Sequence, residues 1–299
     1  MSIYTQISAN KRKTWLVMVL FIVLVTTVAY VFGRASGYGL SFVGIALILS
    51  GVMSLGSYFY SDSMVLAISG AKPVAQADDP ELYHVVENLA IAAGLPKPKL
   101  YLIPDASPNA FATGRDPNHA VVCITAGLRQ KLDKAELEGV IAHELSHVGN
   151  YDTRLMAIVT ILVGLVALLA DWFMRSLWWG GGRRNDREGT QSESLFILLG
   201  VILAVLSPVI ATLIQLAISR RREFLADANG AYLTRYPEGL ASALEKIAAD
   251  RRPASFANNA TAHLFITNPF RGKDAASRLS GLFDTHPPIE ERIKILRSM

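Results

Sequence analysis

The chain has 299 residues, 51% of them hydrophobic, with a net charge of +4 at pH 7 and a mean hydropathy of +0.32. These values suit a membrane protein that also carries a globular domain. The basic residues are scattered or flank apolar stretches, which fits anionic lipid and not nucleic acid, and the single cysteine, Cys123, excludes an internal disulfide.

Lys11, Arg12 and Lys13 precede an apolar run too long for a cleavable signal, so the first segment is expected to stay in the mature protein. Four apolar segments follow the membrane-span template of about 20 residues. Residues 15–32 and 41–60 carry no charge. Residues 155–174 hold Asp171 near their end, and residues 195–218 hold Pro208 and Gln215. The last two would also suit partly buried or dipping helices.

Between the hairpins the chain reads as soluble. Residues 80–94 repeat apolar side chains at helical spacing and stop at Gly94-Leu95-Pro96. Strand-like runs are predicted at 99–103, 110–113 and 120–125, separated by turn residues. Cys123 lies in the last of these and reads as an inert core thiol. Helices are predicted from Lys134 to about Asp152, around 237–250, and from near Pro288 through Arg297. Residues 178–189 read as a polar loop.

His143-Glu144-Leu145-Ser146-His147 lies in the helix that starts at Lys134. Histidines four apart share one helical face and can hold one Zn²⁺ per chain. Glu144 adjoins that face, where it can take a proton from water during peptide hydrolysis. A catalytic zinc takes three protein ligands. The pattern with a third histidine six residues on fails, because Asn150 and Thr153 stand where Gly and His are needed. A carboxylate from elsewhere is expected instead.

Two crossings after the histidine pair return the chain to the same side, at Glu223-Phe224-Leu225-Ala226-Asp227. Glu223 is then the expected third ligand. Asp227, one turn on, would accept a hydrogen bond from a ligand histidine. The plainer reading of 220–227 is a solvated helix end. The same parity puts the N-terminus on that side, and Lys11–Lys13 with Arg220–Arg222 mark it as cytoplasmic. Arg175, Arg183, Arg184 and Arg187 in the intervening loop argue the other way.

This combination resembles the M48 metalloproteases, most closely their membrane-bound HtpX branch. The matching features are His143–His147, Glu223–Asp227, Asn109-Ala110-Phe111-Ala112-Thr113-Gly114, Thr285-His286-Pro287-Pro288 and the order of spans, so nearly the whole chain is covered. The resemblance implies a zinc endopeptidase that removes misfolded or damaged membrane proteins, with His143, His147 and Glu223 as ligands and Glu144 catalytic. It also implies that His286, with Arg292, stabilises the oxyanion; the plain reading is a loop histidine and a surface arginine. Asn109, Ala110, Phe111 and Ala112 would form an edge strand that pairs with an extended substrate, or an ordinary core strand.

The expected fold is mainly α with a small β-sheet: an integral membrane protein with a gluzincin-type zinc protease domain. Its expected parts are an N-terminal tail and hairpin (1–62), a first catalytic part (63–154), a second hairpin (155–218) and a second catalytic part (219–299). The expected partners are polypeptides, membrane proteins among them, and the lipid bilayer. The expected location is the cytoplasmic inner membrane, multi-pass, with the catalytic domain in the cytoplasm. The alternatives are a catalytically silent scaffold or chaperone of the same fold, and a protease for prenylated peptides. His84 and His119 read as structural or exposed.

Overall fold

A computed structural model describes residues 3–35, 40–159, 161, 162, 165, 220–250, 252, 254, 255, 266 and 287–299; side chains in the first two helices are described at 8–27, 30 and 43–69. Most of 155–174, all of 195–218, the loop at 178–189, His263 and His286 lie outside the described residues.

Two long helices open the chain, α1 (Ile3–Ala35) and α2 (Leu40–Ser69). They lie against each other, with Trp15 stacked on Tyr58 at 6.1 Å. Their outer faces are apolar and exposed: Trp15, Leu16, Val19, Val23, Ile48, Val52 and Tyr60 among others. Among the described residues, only Val43–Ser69 is long and apolar enough to cross a bilayer by length and composition. The segment 15–32 is helical throughout, inside α1. α2 runs unbroken past the expected boundary at 62/63, since no proline or glycine interrupts 57–69. Residues 152–159 are helical too and run across the expected boundary at 154/155.

A four-stranded mixed sheet follows, in the order β1-β2-β4-β3: β1 (Lys72–Pro73), β2 (Lys99–Ile103), β3 (Ala110–Thr113) and β4 (Val121–Thr125). β2 and β4 are parallel, and the outer pairs are antiparallel. Alternation along the strands splits the sheet into two faces. One face, with Phe111, Val121, Cys123 and Ile103, packs on Val65 of α2. The other, with Ala110, Ala112, Val122 and Ile124, joins the main core. Cys123, on the α2 side, is fully buried, and burial pushes its thiol pKa up, away from reactivity.

That main core is helical. α3 (Pro80–Ala92), α4 (Ala126–Lys131), α5 (Lys134–Gly149), α6 (Arg220–Thr234), α7 (Pro237–Ala249) and α8 (Ile289–Leu296) enclose Leu82, Leu128, Leu137, Ile141, Leu145 and Leu244. Sequence periodicity does not reveal β1, too short to show alternation, or the six-residue α4. α5 is the central element, touching α3, β3, α6 and α7. A reciprocal capping box starts it, with Asp133 accepting from Glu136 N–H and Glu136 reaching back. The Glu136 carboxylate also takes hydrogen bonds from Ser242 Oγ and Lys246 Nζ, which pins α7 to the start of α5. Two glycines set how closely its neighbours approach. A Cβ on Gly139 would meet the Leu240 backbone nitrogen at 2.7 Å, and one on Gly230 would meet His143 N at 3.1 Å. The second contact brings α6 onto α5 at the histidines.

Candidate metal centre and active site

α5 and α6 bring together His143, His147 and Glu223, all buried. Their ligating atoms lie within 4.8 Å of one another. The two histidine Nε2 atoms are 3.2 Å apart. Glu223 Oε2 is 3.7 Å from His143 Nε2, and Oε1 is 3.5 Å from His147 Nε2. The spacing of four on α5 puts both rings on one face. On α6, Glu223, Asp227 and Gly230 share the face that meets α5.

The rear nitrogen of each histidine faces a carboxylate. His143 Nδ1 lies 2.9 Å from Asp227 Oδ1, and His147 Nδ1 lies 3.0 Å from Asp152 Oδ2. A carboxylate behind a ligand imidazole fixes the tautomer and leaves Nε2 free to bind an ion. Burial disfavours a charged His147. The hydrogen bond that its Nδ1–H donates to Asp152 and the negative charge of Glu223 outweigh that and raise its pKa to about 9. The carboxylates of Asp152 and Glu223 thus favour positive charge at His147. Nitrogen and oxygen donors in this buried set fit a divalent cation such as zinc.

Asp227 is held from behind by Arg292, with Nε to Oδ2 at 2.8 Å and Nη2 to Oδ1 at 2.6 Å. Burial would raise the Asp227 pKa, but the guanidinium and His143 bring it down to about 2. Arg292 is 1% exposed, and its Nη1 lies 3.6 Å from Glu223 Oε2. α8 therefore delivers a buried cation behind the two carboxylates of α6. Removing one partner of such a pair costs about 3–5 kcal/mol, because a buried charge is left alone.

Glu144 is buried beside the histidines. Its Oε2 accepts a 2.8 Å hydrogen bond from the Ala112 N–H. Burial raises its pKa. The charges of His143 and His147 oppose this, Glu223 adds to it, and the Ala112 bond lowers it. Asn109 O and Thr125 N pair toward β4, so the alternate Ala112 N–H points off the other edge of β3, toward the glutamate. Asn109 is buried, and its Oδ1 accepts the Ile266 N–H at 3.0 Å. Phe111 turns to the α2 side of the sheet, while Ala110 and Ala112 turn to the α5 side.

Three participants went unnoticed in the sequence: Asp152, Arg222 and Asn10. Asp152 follows the helix end, and no helical spacing connects it to His147. Arg222 belongs to the 220–222 run whose charge suggests orientation. It is buried, with Nη1 3.0 Å from Asp152 Oδ1. His84 and His119 lie outside the cluster. His84 sits exposed near Glu87 at 3.6 Å, and His119 pairs with Asp116 at 2.8 Å.

Residues 76–299 match the family model described as "Peptidase family M48". The chain is 46% identical to "Protease HtpX homolog" of Caldanaerobacter subterraneus subsp. tengcongensis over 303 residues, covering 100% of this chain and 98% of the relative. It is 44% identical to the protein of the same name from Lactobacillus helveticus, covering 99% of this chain and 100% of the relative. The fold is similar to that of S. mikatae Ste24p in its crystal structure, with a TM-score of 0.50 at 18% identity, over 98% of this chain and 67% of that one. With a buried His-Glu-x-x-His helix, a facing glutamate and this full-length similarity, the chain belongs to peptidase family M48 and is a metalloprotease.

Proposed function

We propose that this metalloprotease is a zinc endopeptidase of the cytoplasmic membrane that cleaves misfolded or damaged membrane proteins. The observation that carries the reading is the convergence of His143, His147 and Glu223 beside Glu144, which accepts the Ala112 N–H of β3. The ion would be held by His143 Nε2, His147 Nε2 and the Glu223 carboxylate. Bound zinc would supply Lewis acidity and lower the pKa of a water to about 7.

The protein's own part is then positional. Glu144 takes the proton of the attacking water and passes it to the leaving amine. Desolvation makes it a stronger base than an exposed carboxylate, and the Ala112 N–H fixes one of its oxygens. The edge of β3 offers backbone groups to an extended polypeptide, which gives broad sequence tolerance. Arg292 is best read as positioning Asp227 and Glu223, since two of its donors are already bonded to Asp227. The oxyanion role expected for His286 stays a proposal resting on the family resemblance.

Enzyme purified with zinc withheld should be inactive, and adding zinc should start both casein cleavage and self-cleavage. Stoichiometric zinc uptake without any cleavage would point to the silent scaffold instead.

Several features support the membrane location: the exposed apolar faces of α1 and α2, the length of Val43–Ser69, and Lys11–Lys13 ahead of residue 15. With Cys123 replaced by serine, cysteines placed at positions 8 and 295 of the membrane-inserted protein should resist an impermeant maleimide and react with a permeant one. Labelling of either from outside overturns the cytoplasmic orientation.

A further inference from the structure

We infer that Asn10, on the first helix, is a positioning residue of the metal centre, acting on His147 through Asp152. The inference rests on the metal reading above and adds to it a part of the chain that lies outside the family match at 76–299.

Asn10 is buried at 3% exposure, one turn before the apolar stretch of α1. Its Nδ2 donates to Asp152 Oδ1 at 2.7 Å and to the Asn150 carbonyl at 2.9 Å. Arg222 Nη1 reaches the same Asp152 oxygen at 3.0 Å and lies 3.5 Å from Asn10 Oδ1. The other oxygen, Oδ2, faces His147 Nδ1. Asp152 is thus gripped on one oxygen by α1 and α6 and presents the other to the histidine. Asn150 is the cap of α5 itself, so one amide holds both the end of the helix and the carboxylate beyond it.

The corner between these two contacts supplies an independent observation. Tyr151 has a left-handed backbone, with φ at 59°. A residue with a Cβ adopts that conformation at a cost of about 1–2 kcal/mol, and it persists only where the surroundings hold it. Here the ring is covered by Lys11 Nζ at 4.5 Å and by the Arg154 guanidinium at 4.8 Å. This turn lets the chain double back so that Asp152 can face His147. Adjacent residues of α1, Asn10 and Lys11, therefore clamp the turn by a hydrogen bond and by a cation over the ring.

A carboxylate left loose behind a ligand imidazole lowers metal affinity about 10–100-fold. The test uses the full-length chain in detergent, in a Glu144→Gln background that prevents self-cleavage, with zinc affinity measured by competition against a chelator. Asp152→Ala should weaken binding by about 10–100-fold, and Asn10→Ala by about 10-fold. If Asn10 works through Asp152, adding Asn10→Ala to Asp152→Ala should change the affinity by less than about 2-fold. Asn10→Leu fills a similar volume and suits the helix, so it should match Asn10→Ala; a mere packing role would leave its affinity at the parent value. Parent-like zinc binding by Asn10→Leu, or losses that multiply in the double variant, overturns the inference while the metal reading stands. A parent that takes up no zinc defeats the metal reading and this inference with it.

Discussion

Glu144→Gln is expected to lower casein cleavage about 10²–10⁴-fold while zinc content stays at the parent level. The amide keeps the shape of the side chain but cannot accept the proton of the attacking water, and general-base catalysis is worth about that factor. Glu144 lies beside the ligand cluster and holds the Ala112 N–H at 2.8 Å, so the substitution removes no ligand. Cleavage measured beside metal content by atomic absorption decides the matter. A variant that cleaves at the parent rate would take Glu144 out of the chemistry.

The second large effect belongs to Glu223. Glu223→Ala should lose both zinc and activity, because it leaves two histidines where a catalytic site needs three protein ligands. It also strips Arg292 Nη1 of the carboxylate 3.6 Å away. Asp227→Ala should be milder, weakening zinc by about 10–100-fold, since Asp227 touches His143 and not the ion position. Full zinc occupancy in Glu223→Ala would send the search for the third ligand elsewhere.

What could be read from the sequence follows from short-range geometry. His143 with His147, and Glu223 with Asp227, are spaced by four, and a helix converts that spacing into a shared face without further information. The three main strands were visible because apolar runs alternate with turn residues, and β2, β3 and β4 lie within a residue of their expected limits. The meeting of α5 with α6 is expected from the parity of two crossings, segments that lie largely outside the described residues; the contact itself is observed.

The rest depends on contacts that no local pattern encodes. Asp152 reaches His147 only because Tyr151 takes a left-handed turn, which tyrosine does not announce. Asn10 meets Asp152 across 142 positions of sequence. Arg222 stands in a run of three arginines and looks like its neighbours until packing buries it. The expected part boundaries at 62/63 and 154/155 follow changes in composition, and each lies within a helix, because helices end at caps and breakers.

The tie between Arg292 and Asp227 has a consequence during synthesis. Arg292 follows His147 by 145 positions. At about 5–20 residues per second, roughly 7–29 s separate the making of the histidine helix from the arrival of Arg292. Until Arg292 arrives the histidines have no finished cage, and α6, once made, carries two carboxylates with no Arg292 behind them. The nascent chain therefore emerges as an incomplete protease. The metalloprotease completes this cage only once most of its own chain has been made.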